Sequence, residues 1–381
     1  MSRKGIIPII VSALLLTGCG GIKNIQDLTY IVAIGMDYDE KEDEYIVYLQ
    51  GLNFANVAKQ EGGKPVEEIP SFVGSARGKT LNLAVSELYK KSEPPIYFGH
   101  VRTLLVSQRL IKSKSKEVLE EIARNKSLRH TLRVVTTEES IEEIFSVKAL
   151  FNYPAVYTVL FKGKTQGLAQ NELQPTSLLH FLRSYYEPMG IAKLPSVSID
   201  GGTWHADKEF PVLYLNGYSV YQQQTYVKNI PIEDAVFLDW LVGGKIAIDR
   251  EVTDGEELVA AVKLASPKLK FTYEKGNSSP ALSIELSTKA DLLEKVKDVS
   301  VDELKKNLEE DIKKEVMELY DKGVESKLDL LNAGEKWYRK HPKAYKKLKA
   351  SKNFYLEKES LKDVKVDIQI FHFNSYEYDR M

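Results

Sequence analysis

A glycine-rich stretch has residue types that could bind a phosphate group. Residues 72–85 read FVGSARGKTLNLAV, in which Gly78, Lys79 and Thr80 open a predicted helix. A phosphate-binding loop needs four residues between its first glycine and the Gly-Lys-Thr triplet, so that successive backbone N–H groups surround the phosphates. Only three residues separate Gly74 from Gly78. The stretch favours a strand–turn–helix junction capped by Thr80, and we expect no bound nucleotide.

Cys19 is the second residue whose position indicates a chemical modification, and it is the only cysteine of the chain. It follows Leu16, Thr17 and Gly18. This quartet resembles the lipobox of bacterial lipoproteins, in which the cysteine receives a diacylglycerol and becomes the new amino terminus. We therefore expect Cys19 to be the lipid-attachment residue, with palmitate-type acyl chains. The alternative is a buried free cysteine beside an uncleaved anchor helix.

The residues before Cys19 have the composition of a secretory signal. Arg3 and Lys4 precede an apolar run at 6–16, which is shorter than the roughly 20 residues that span a bilayer. Removal of residues 1–18 as a lipoprotein signal peptide leaves residues 19–27 as a lipidated tether. The sequence therefore predicts membrane attachment without a spanning helix.

Composition narrows the function classes. Loss of Arg3 and Lys4 changes the formal net charge from −1 to −3, and a near-neutral surface does not predict a nucleic-acid partner. The sequence has no HExxH motif, no GxSxG motif and no Cys/His constellation, and its six histidines are scattered. We therefore expect no metal, no cofactor and no enzymatic activity.

The N-terminal half alternates predicted strands with predicted helices, which is typical of an α/β layer around one sheet. Strands are predicted at 29–37, 44–50, 72–73, 96–107 and 132–136, and helices at 81–88, 116–125, 140–147, 154–161 and 178–186. Pro195, Gly201 and Gly202 then favour a domain boundary. We expect an N-terminal α/β domain at 28–200 and a C-terminal α+β domain at 201–381.

The C-terminal half has the pattern of an antiparallel meander. A strand at 213–226 with a turn or bulge at 216–217, a helix at 232–241, and alternating runs at 258–264, 269–273 and 282–286 are predicted, the runs being joined by turns at 266–267 and 276–277. Ser300 and Glu303 form a capping box before a long apolar stripe that ends at Gly323. A helical region at 328–349 and a last strand at 364–370 follow. The fold class predicted is multidomain α+β, with mixed sheets, packed helices and a C-terminal meander crossed by the long helix.

Two further groups of polar residues allow more than one interpretation. His100 fits a structural histidine better than a catalytic base. Asp37 and Asp39 could bind a cation with the acidic residues that follow, but a solvated hairpin turn fits them better because no EF-hand spacing surrounds them.

A basic segment is the main candidate contact surface. Residues 336–352 contain eight Lys or Arg and no acidic residue, interleaved with three aromatic residues. Contact with anionic headgroups or with an acidic protein surface is the functional hypothesis. A solvated basic helix face is the alternative. The residues that we expect to make the contact are Lys343, Lys346, Lys347, Lys349 and Trp337.

The order of several short motifs resembles the Ger(x)C-type family, the C-subunit lipoproteins of spore germinant receptors in endospore-forming bacteria. The similar pieces, besides the lipoprotein signal, are IVAIGMD (31–37), GKTLNLAV (78–85), YFGHVRTLLVS (97–107), LPSVSI (194–199), LYLNGYSVY (213–221), VFLDWLVGG (236–244) and DLLNAGEKWYRKHPKAYKKL (329–348). The resemblance covers nearly the whole chain after the tether. The chain differs from the family pattern at one point after Asp329, where the pattern has Phe-Gly and this chain has Leu331-Asn332.

The resemblance implies a non-catalytic, lipid-anchored subunit of a nutrient germinant receptor, acting in spore germination. Its implied partners are two integral membrane subunits, A and B, and its implied location is the outer face of the spore inner membrane. Its role there would be that of a scaffold or of an assembly and signalling partner. Two alternatives from other classes are a lipid-anchored solute-binding protein and a cell-wall hydrolase.

Overall fold

The computed structural model describes residues 28–52, 71–125, 128–163, 169–170, 172–206, 209–243, 246–274, 279–351 and 354–371. The expected signal peptide, the lipobox residues, Cys19 and the tether to residue 27 lie outside these ranges. Those assignments therefore stay predictions.

The described chain forms fourteen strands and eight α-helices. The strands are β1 (Thr29–Asp39), β2 (Glu44–Leu52), β3 (Phe72–Gly78), β4 (Ile96–Tyr97), β5 (Thr103–Ser107), β6 (Arg133–Thr137), β7 (Ala169–Gln170), β8 (Ile191–Asp200), β9 (Val212–Gln222), β10 (Thr225–Pro231), β11 (Ile246–Asp254), β12 (Glu257–Tyr273), β13 (Leu282–Lys295) and β14 (Leu361–Phe371). The helices are α1 (Leu81–Lys90), α2 (Gln108–Arg124), α3 (Ile141–Ser146), α4 (Leu178–Tyr186), α5 (Ile232–Leu238), α6 (Val301–Glu325), α7 (Ala333–Lys340) and α8 (Pro342–Ser351).

A nine-stranded mixed sheet organises the first part of the molecule. Its order is β10-β9-β8-β6-β5-β1-β2-β3, with β4 beside β1. Strands β1, β5, β6 and β8 run parallel to one another at its centre. Their first residues therefore share one end of the sheet, which we call the amino end. The antiparallel partners bring the end of β2 and the start of β3 to the same place, since Leu52 pairs with Tyr30 and Phe72 pairs with Gly51.

A second sheet has the order β14-β13-β12-β11-β7. Strands β11, β12 and β13 form an antiparallel meander, and β14 adds in parallel to β13. Helix α6 lies across this sheet, and its buried stripe contains Leu304, Leu308, Ile312, Val316 and Leu319. Ser300 caps the helix by accepting a hydrogen bond from the Glu303 N–H at 3.2 Å. The predicted meander crossed by a long helix is therefore confirmed, and so is the α+β class.

Helices cover both faces of the nine-stranded sheet. Apolar side chains of α1, α2 and α4 pack in one core with residues of β1, β5 and β6. On the other face, α3 and α5 share a larger core with the second sheet and α6. Because parallel strands are buried on both faces, β1 and β5 are almost continuously apolar, as their sequences indicate.

Several boundaries differ from the sequence predictions for identifiable reasons. Ser266 and Pro267 do not form a turn, because β12 runs through them with a bulge between Ala265 and Lys268, and Ser266 has φ +56°. Residues 154–161 form one short 3₁₀ turn, Ala155–Tyr157, instead of a helix. Helix α6 continues past Gly323 to Glu325, where Ser326 ends it. Strand β11 was not predicted.

The expected domain boundary at residue 200 stays a prediction. Strands β9 and β10 follow that boundary but belong to the same nine-stranded sheet, in which β9 pairs with β8 and β10 pairs with β9. Gly217 is the residue of β9 that permits this packing. It has φ +147°, and a Cβ at this position would lie 2.1 Å from the carbonyl oxygen of Ile230. Asn216 lies at the bulge opposite Ser196 and Val197, in agreement with the predicted turn or bulge.

Candidate contact surface on the basic helices

The basic segment forms two short helices, α7 and α8, joined at His341. Helix α8 begins with Pro342, whose fixed φ suits the first turn of a helix. Ala344, Tyr345 and Leu348 are partly buried and pack against the large core. Their positions three and four residues apart put them on one face of α8.

The opposite face of α8 carries the predicted contact lysines. Lys343, Lys346 and Lys347 lie at positions i, i+3 and i+4 and are exposed. Lys349 is exposed on the flank of the helix. None of the four forms an ion pair with another residue of the described ranges, so their charges are available to an external partner.

The three cations of α7 are engaged within the protein. The Lys336 ammonium lies 4.5 Å from the Phe271 ring centroid, and burial lowers the pKa of Lys336. Arg339 is paired with Glu187 at 3.3 Å and with Glu335 at 2.7 Å. These contacts attach α7 to the second sheet and to the chain before β8. They leave α8 as the part of the segment with unpaired charge.

The structure corrects the expectation that Trp337 belongs to the contact surface. Its side chain is 1% exposed and lies in the large core. Its ring contacts the His341 ring at a tilt of 34°, with the ring centroids 5.7 Å apart. An indole in this position anchors α7 and cannot reach a membrane or a partner without unfolding the helix.

A cleft of about 580 Å³ lies beside α8. It separates the helix from the end of α4 and from the turn between β9 and β10. Tyr185, one of its walls, is held by a hydrogen bond that its hydroxyl donates to the Gln224 carbonyl at 2.8 Å. The residues lining the cleft are Tyr185, Tyr186, Glu187, Pro188, Met189, Gln223, Gln224, Tyr345, Leu348, Lys349 and Tyr355.

A buried carboxylate lies beneath this cleft. Asp329 is 1% exposed and accepts hydrogen bonds from the N–H groups of Ala333 at 3.0 Å and Gly334 at 2.5 Å. The Tyr355 hydroxyl donates to it at 2.9 Å. Burial raises the pKa of Asp329 to about 6, and the two backbone donors oppose that rise. Burial also raises the pKa of the Tyr355 hydroxyl, which therefore stays a proton donor.

The Asp329 cluster connects the chain around α7 to the nine-stranded sheet. The Asp329 N–H donates to the side-chain oxygen of Gln222 in β9 at 3.1 Å. The Tyr355 hydroxyl also lies 3.1 Å from the carbonyl oxygen of Met189, just before β8. These bonds, together with the pairing of Arg339 with Glu187, hold α7 against the nine-stranded sheet and the chain before β8.

The departure from the family pattern falls in this cluster and has a physical reason. Asn332 has φ +54° and ψ +34°, in the left-handed region. Glycine adopts that conformation freely, and asparagine is among the residues that tolerate it best. Leu331 is 1% exposed, so an apolar residue is also required before it. The Leu-Asn pair therefore meets the same two demands as the expected Phe-Gly pair.

Other residues singled out from the sequence have structural roles. Thr80 accepts a hydrogen bond from the Leu83 N–H at 3.2 Å and caps α1, as predicted. Asp37 is buried at the end of β1, paired with Arg109 and hydrogen-bonded by Ser107, so it is not part of a solvated turn. The His100 ring contacts the Tyr30 ring edge to face, with the ring centroids 5.0 Å apart.

Sequence reasoning missed the Asp329 cluster as a site. Its partners Gln222 and Tyr355 lie 107 and 26 residues away along the chain. The available signal was the acidic residue of the DLLNAGEKW motif, which stands alone between apolar residues. No group of three or more His, Cys, Asp or Glu residues suited to a metal ion occurs within the described ranges. No helix among the described residues is long and apolar enough to cross a membrane.

The two mixed sheets, the long amphipathic helix and the joint at Asp329 define a two-sheet α+β protein. Comparison with known protein families identifies the family to which the chain belongs. Residues 21–199 match the family model "Spore germination protein N-terminal domain", and residues 216–374 match "Spore germination B3/ GerAC like, C-terminal". The chain belongs to this spore germination protein family.

Individual relatives agree with this membership. The chain is 23% identical to spore germination protein KC of Bacillus subtilis (strain 168), covering 97% of this chain and 95% of that protein. It is 22% identical to spore germination protein GerQC of Bacillus cereus, covering 82% and 83%. The crystal structure of the GerBC protein has the same fold, with a TM-score of 0.54 at 18% identity, and covers 91% of this chain and 99% of that chain.

Proposed function

We propose that this protein is a lipid-anchored, non-catalytic subunit of a spore nutrient germinant receptor. The observation that carries the proposal is the match of both halves of the chain to the two spore germination models. In this role it acts as a scaffold or as an assembly and signalling partner of two integral membrane subunits. It lies at the outer face of the spore inner membrane, attached through Cys19.

The geometry supports a binding role more than a catalytic one. The carboxylate beneath the cleft is saturated by internal hydrogen bonds, because Asp329 accepts from three donors. A catalytic carboxylate needs access to a substrate atom, and Asp329 is 1% exposed. The unpaired lysines of α8 supply charge for contact with an anionic surface.

The test is a pull-down from detergent-solubilised spore inner membrane with a C-terminally tagged chain. Wild type is compared with Cys19→Ala and with Ser12→Ala, a signal-peptide change outside the lipobox. We expect wild type and Ser12→Ala to recover two integral membrane subunits and to germinate normally. Cys19→Ala is expected to lose the recovery and to impair germination. Recovery of no membrane subunit by the wild type would refute the proposal.

The cleft favours one second function. Its volume of about 580 Å³ lies within the range of small-molecule sites, about 300–1,000 Å³. A lipid-anchored solute-binding protein would raise its unfolding temperature with a saturating ligand. A thermal-shift screen of amino acids, sugars and nucleosides separates this function from the scaffold. The screen is repeated with Tyr345→Ala, which opens one wall of the cleft and should weaken any stabilisation by a ligand bound there.

A further inference from the structure

Exposed aromatic side chains gather at the amino end of the nine-stranded sheet. Phe72 and Tyr97 are 62% and 44% exposed and lie at the start of β3 and in β4. Phe151, Tyr153 and Tyr157 are 83%, 45% and 59% exposed and lie in the segment between α3 and β7. Rings of this size seldom stay exposed together without a binding partner.

Hydrogen bonds place the segment 147–161 at this end of the sheet. At one side, the Phe145 carbonyl accepts from Gln50 in β2 at 2.7 Å. At the other side, the Leu160 carbonyl accepts from the hydroxyl of Thr103, the first residue of β5, at 2.7 Å. The segment therefore crosses β1 and β5 near their first residues. Its three rings contact one another, Phe151 with Tyr153 at 6.4 Å and Tyr153 with Tyr157 at 5.5 Å.

The backbone of the segment is strained where it presents its most exposed ring. Phe151 has φ +61°, a left-handed conformation that is unfavourable for a bulky residue. Strain of this kind persists only where the surrounding structure imposes it, and it is frequent at functional sites. A tight turn imposes this conformation, because the Ala149 N–H donates to the Tyr153 carbonyl at 3.0 Å across Phe151.

Two arginines at the amino end of the sheet have their guanidinium groups bound to backbone carbonyls and to no carboxylate of the described residues. At the amino end, Arg102 donates to the Phe161 carbonyl at 3.0 Å and Arg133 donates to the Leu160 carbonyl at 3.2 Å. Neither arginine forms an ion pair with another described residue. The opposite end carries the acidic turn between β1 and β2, where Arg77 pairs with Asp39 at 2.8 Å and Lys79 lies 3.8 Å from Glu44. The arginines of the amino end are therefore the cations that remain available to an anionic surface.

The expected tether reaches the protein at the same end. The described chain starts at Leu28, next to Thr29, whose N–H donates to the Pro95 carbonyl at 3.0 Å beside β4. The nine residues from Gly20 to Leu28 span at most about 32 Å when fully extended. A lipid on Cys19 would thus hold the amino end within that distance of the bilayer.

We propose that the amino end of the nine-stranded sheet faces the membrane, with the rings of Phe151, Tyr153 and Tyr157 seated among the lipid headgroups. Tyrosine and other amphipathic rings favour this interface, and arginine pairs with phosphate. The chain before β8 and the cleft beside α8 lie at the same end, since Ile191 begins β8 and pairs with Gln222. This orientation rests on the lipid anchor of the proposed function, and it directs the acidic turn away from the membrane.

The test measures the depth of labels in the full, lipidated chain reconstituted into phosphatidylethanolamine–phosphatidylglycerol vesicles. Phe151→Cys and Tyr157→Cys provide single reactive thiols, because the thiol of Cys19 is consumed by the lipid. Tyr214→Cys is the matched control, since Tyr214 is 41% exposed on β9 and pairs with Ser198 near the opposite end of the sheet. Each thiol carries a fluorophore that is quenched by aqueous iodide or by doxyl-labelled lipid.

We expect labels at 151 and 157 to lose iodide quenching and to gain doxyl-lipid quenching, while the label at 214 stays quenched by iodide. Labels at 151 and 157 that remain as accessible to iodide as the label at 214, on protein that sediments with the vesicles, would overturn the orientation and leave the anchor intact. Protein that stays in the supernatant and carries no acyl chain by mass spectrometry would overturn both. Labels shielded only in membranes that contain the other subunits would overturn a lipid contact in favour of a protein contact.

Discussion

Replacing the three lysines on the outer face of α8 tests whether this helix contacts an anionic membrane. Lys343, Lys346 and Lys347 are exposed, lie on one face and form no ion pair with a described residue. A lysine near an anionic bilayer contributes about a fivefold increase in binding at low ionic strength. Changing all three to Gln should therefore weaken binding about a hundredfold. Lys349, on the flank beside the cleft, should contribute less than each of the other three.

The assay is co-sedimentation of the unlipidated chain from residue 28 with vesicles rich in phosphatidylglycerol. It is run at low salt and again at physiological salt, where a Debye length of about 8 Å screens most of the attraction. The matched control changes exposed lysines on α2 and α6 to Gln, which removes charge from other surfaces. Its members are Lys112, Lys306 and Lys313, equal in number to the lysines changed on α8.

Two results would refute this reasoning. The first is wild-type protein that does not sediment with the vesicles at low salt. The second is an equal loss of binding in the α8 variant and in the α2/α6 control, since that would make net charge the cause and not the location of the lysines. Loss of binding in the α8 variant alone would support the basic helix as a contact surface.

Three further predictions concern stability. Gly217→Ala should lower the unfolding free energy by about 2 kcal/mol or more in denaturant titrations, because its Cβ would lie 2.1 Å from a carbonyl oxygen at φ +147°; Gly201→Ala, with open space around it, should be nearly neutral. Asp329 has a pKa of about 6 in the folded chain and about 3.9 in the unfolded chain. The unfolding free energy should therefore fall by about 3 kcal/mol as the pH rises from below 4 through 6. The same fall in the Asp329→Asn variant would contradict this. Phe151→Gly should raise the unfolding free energy by about 0.5 kcal/mol, because it relieves a left-handed φ. The control Tyr153→Gly, at φ −62°, should lower the unfolding free energy. A loss of stability in both variants would show that the backbone of Phe151 is not strained.

The elements that the sequence predicted well depend on local signals. Helix α4 was placed at its observed bounds, and the cap of α6 at Ser300 was correct, because side-chain periodicity and capping act within a few residues. The Ser-Pro pair at 266–267 was read as a turn because a bulge and a turn favour the same residue types. Only the pairing of β12 with β13 decides between them, and that pairing is not local.

In the candidate site, too, local features could be predicted from the sequence and long-range contacts could not. Lysines on α8 could be assigned to an exposed face from their spacing. The burial of Trp337 could not be foreseen, because a tryptophan among lysines also fits a membrane surface, and the core that covers it comes from distant parts of the chain. Asp329 depends on Gln222 and Tyr355 in the same way.

The position of β9 and β10 determines where two proteins of this family could be joined in a chimera. The N-terminal family model ends at residue 199, yet the sheet that it builds is completed by β9 and β10, which follow that point. A chimera joined between β8 and β9 would pair strands from two parents along the length of β8. A junction after Pro231 would keep the whole nine-stranded sheet in one parent. A chimera that keeps this sheet in one parent therefore needs a segment longer than the N-terminal match, ending where α5 begins.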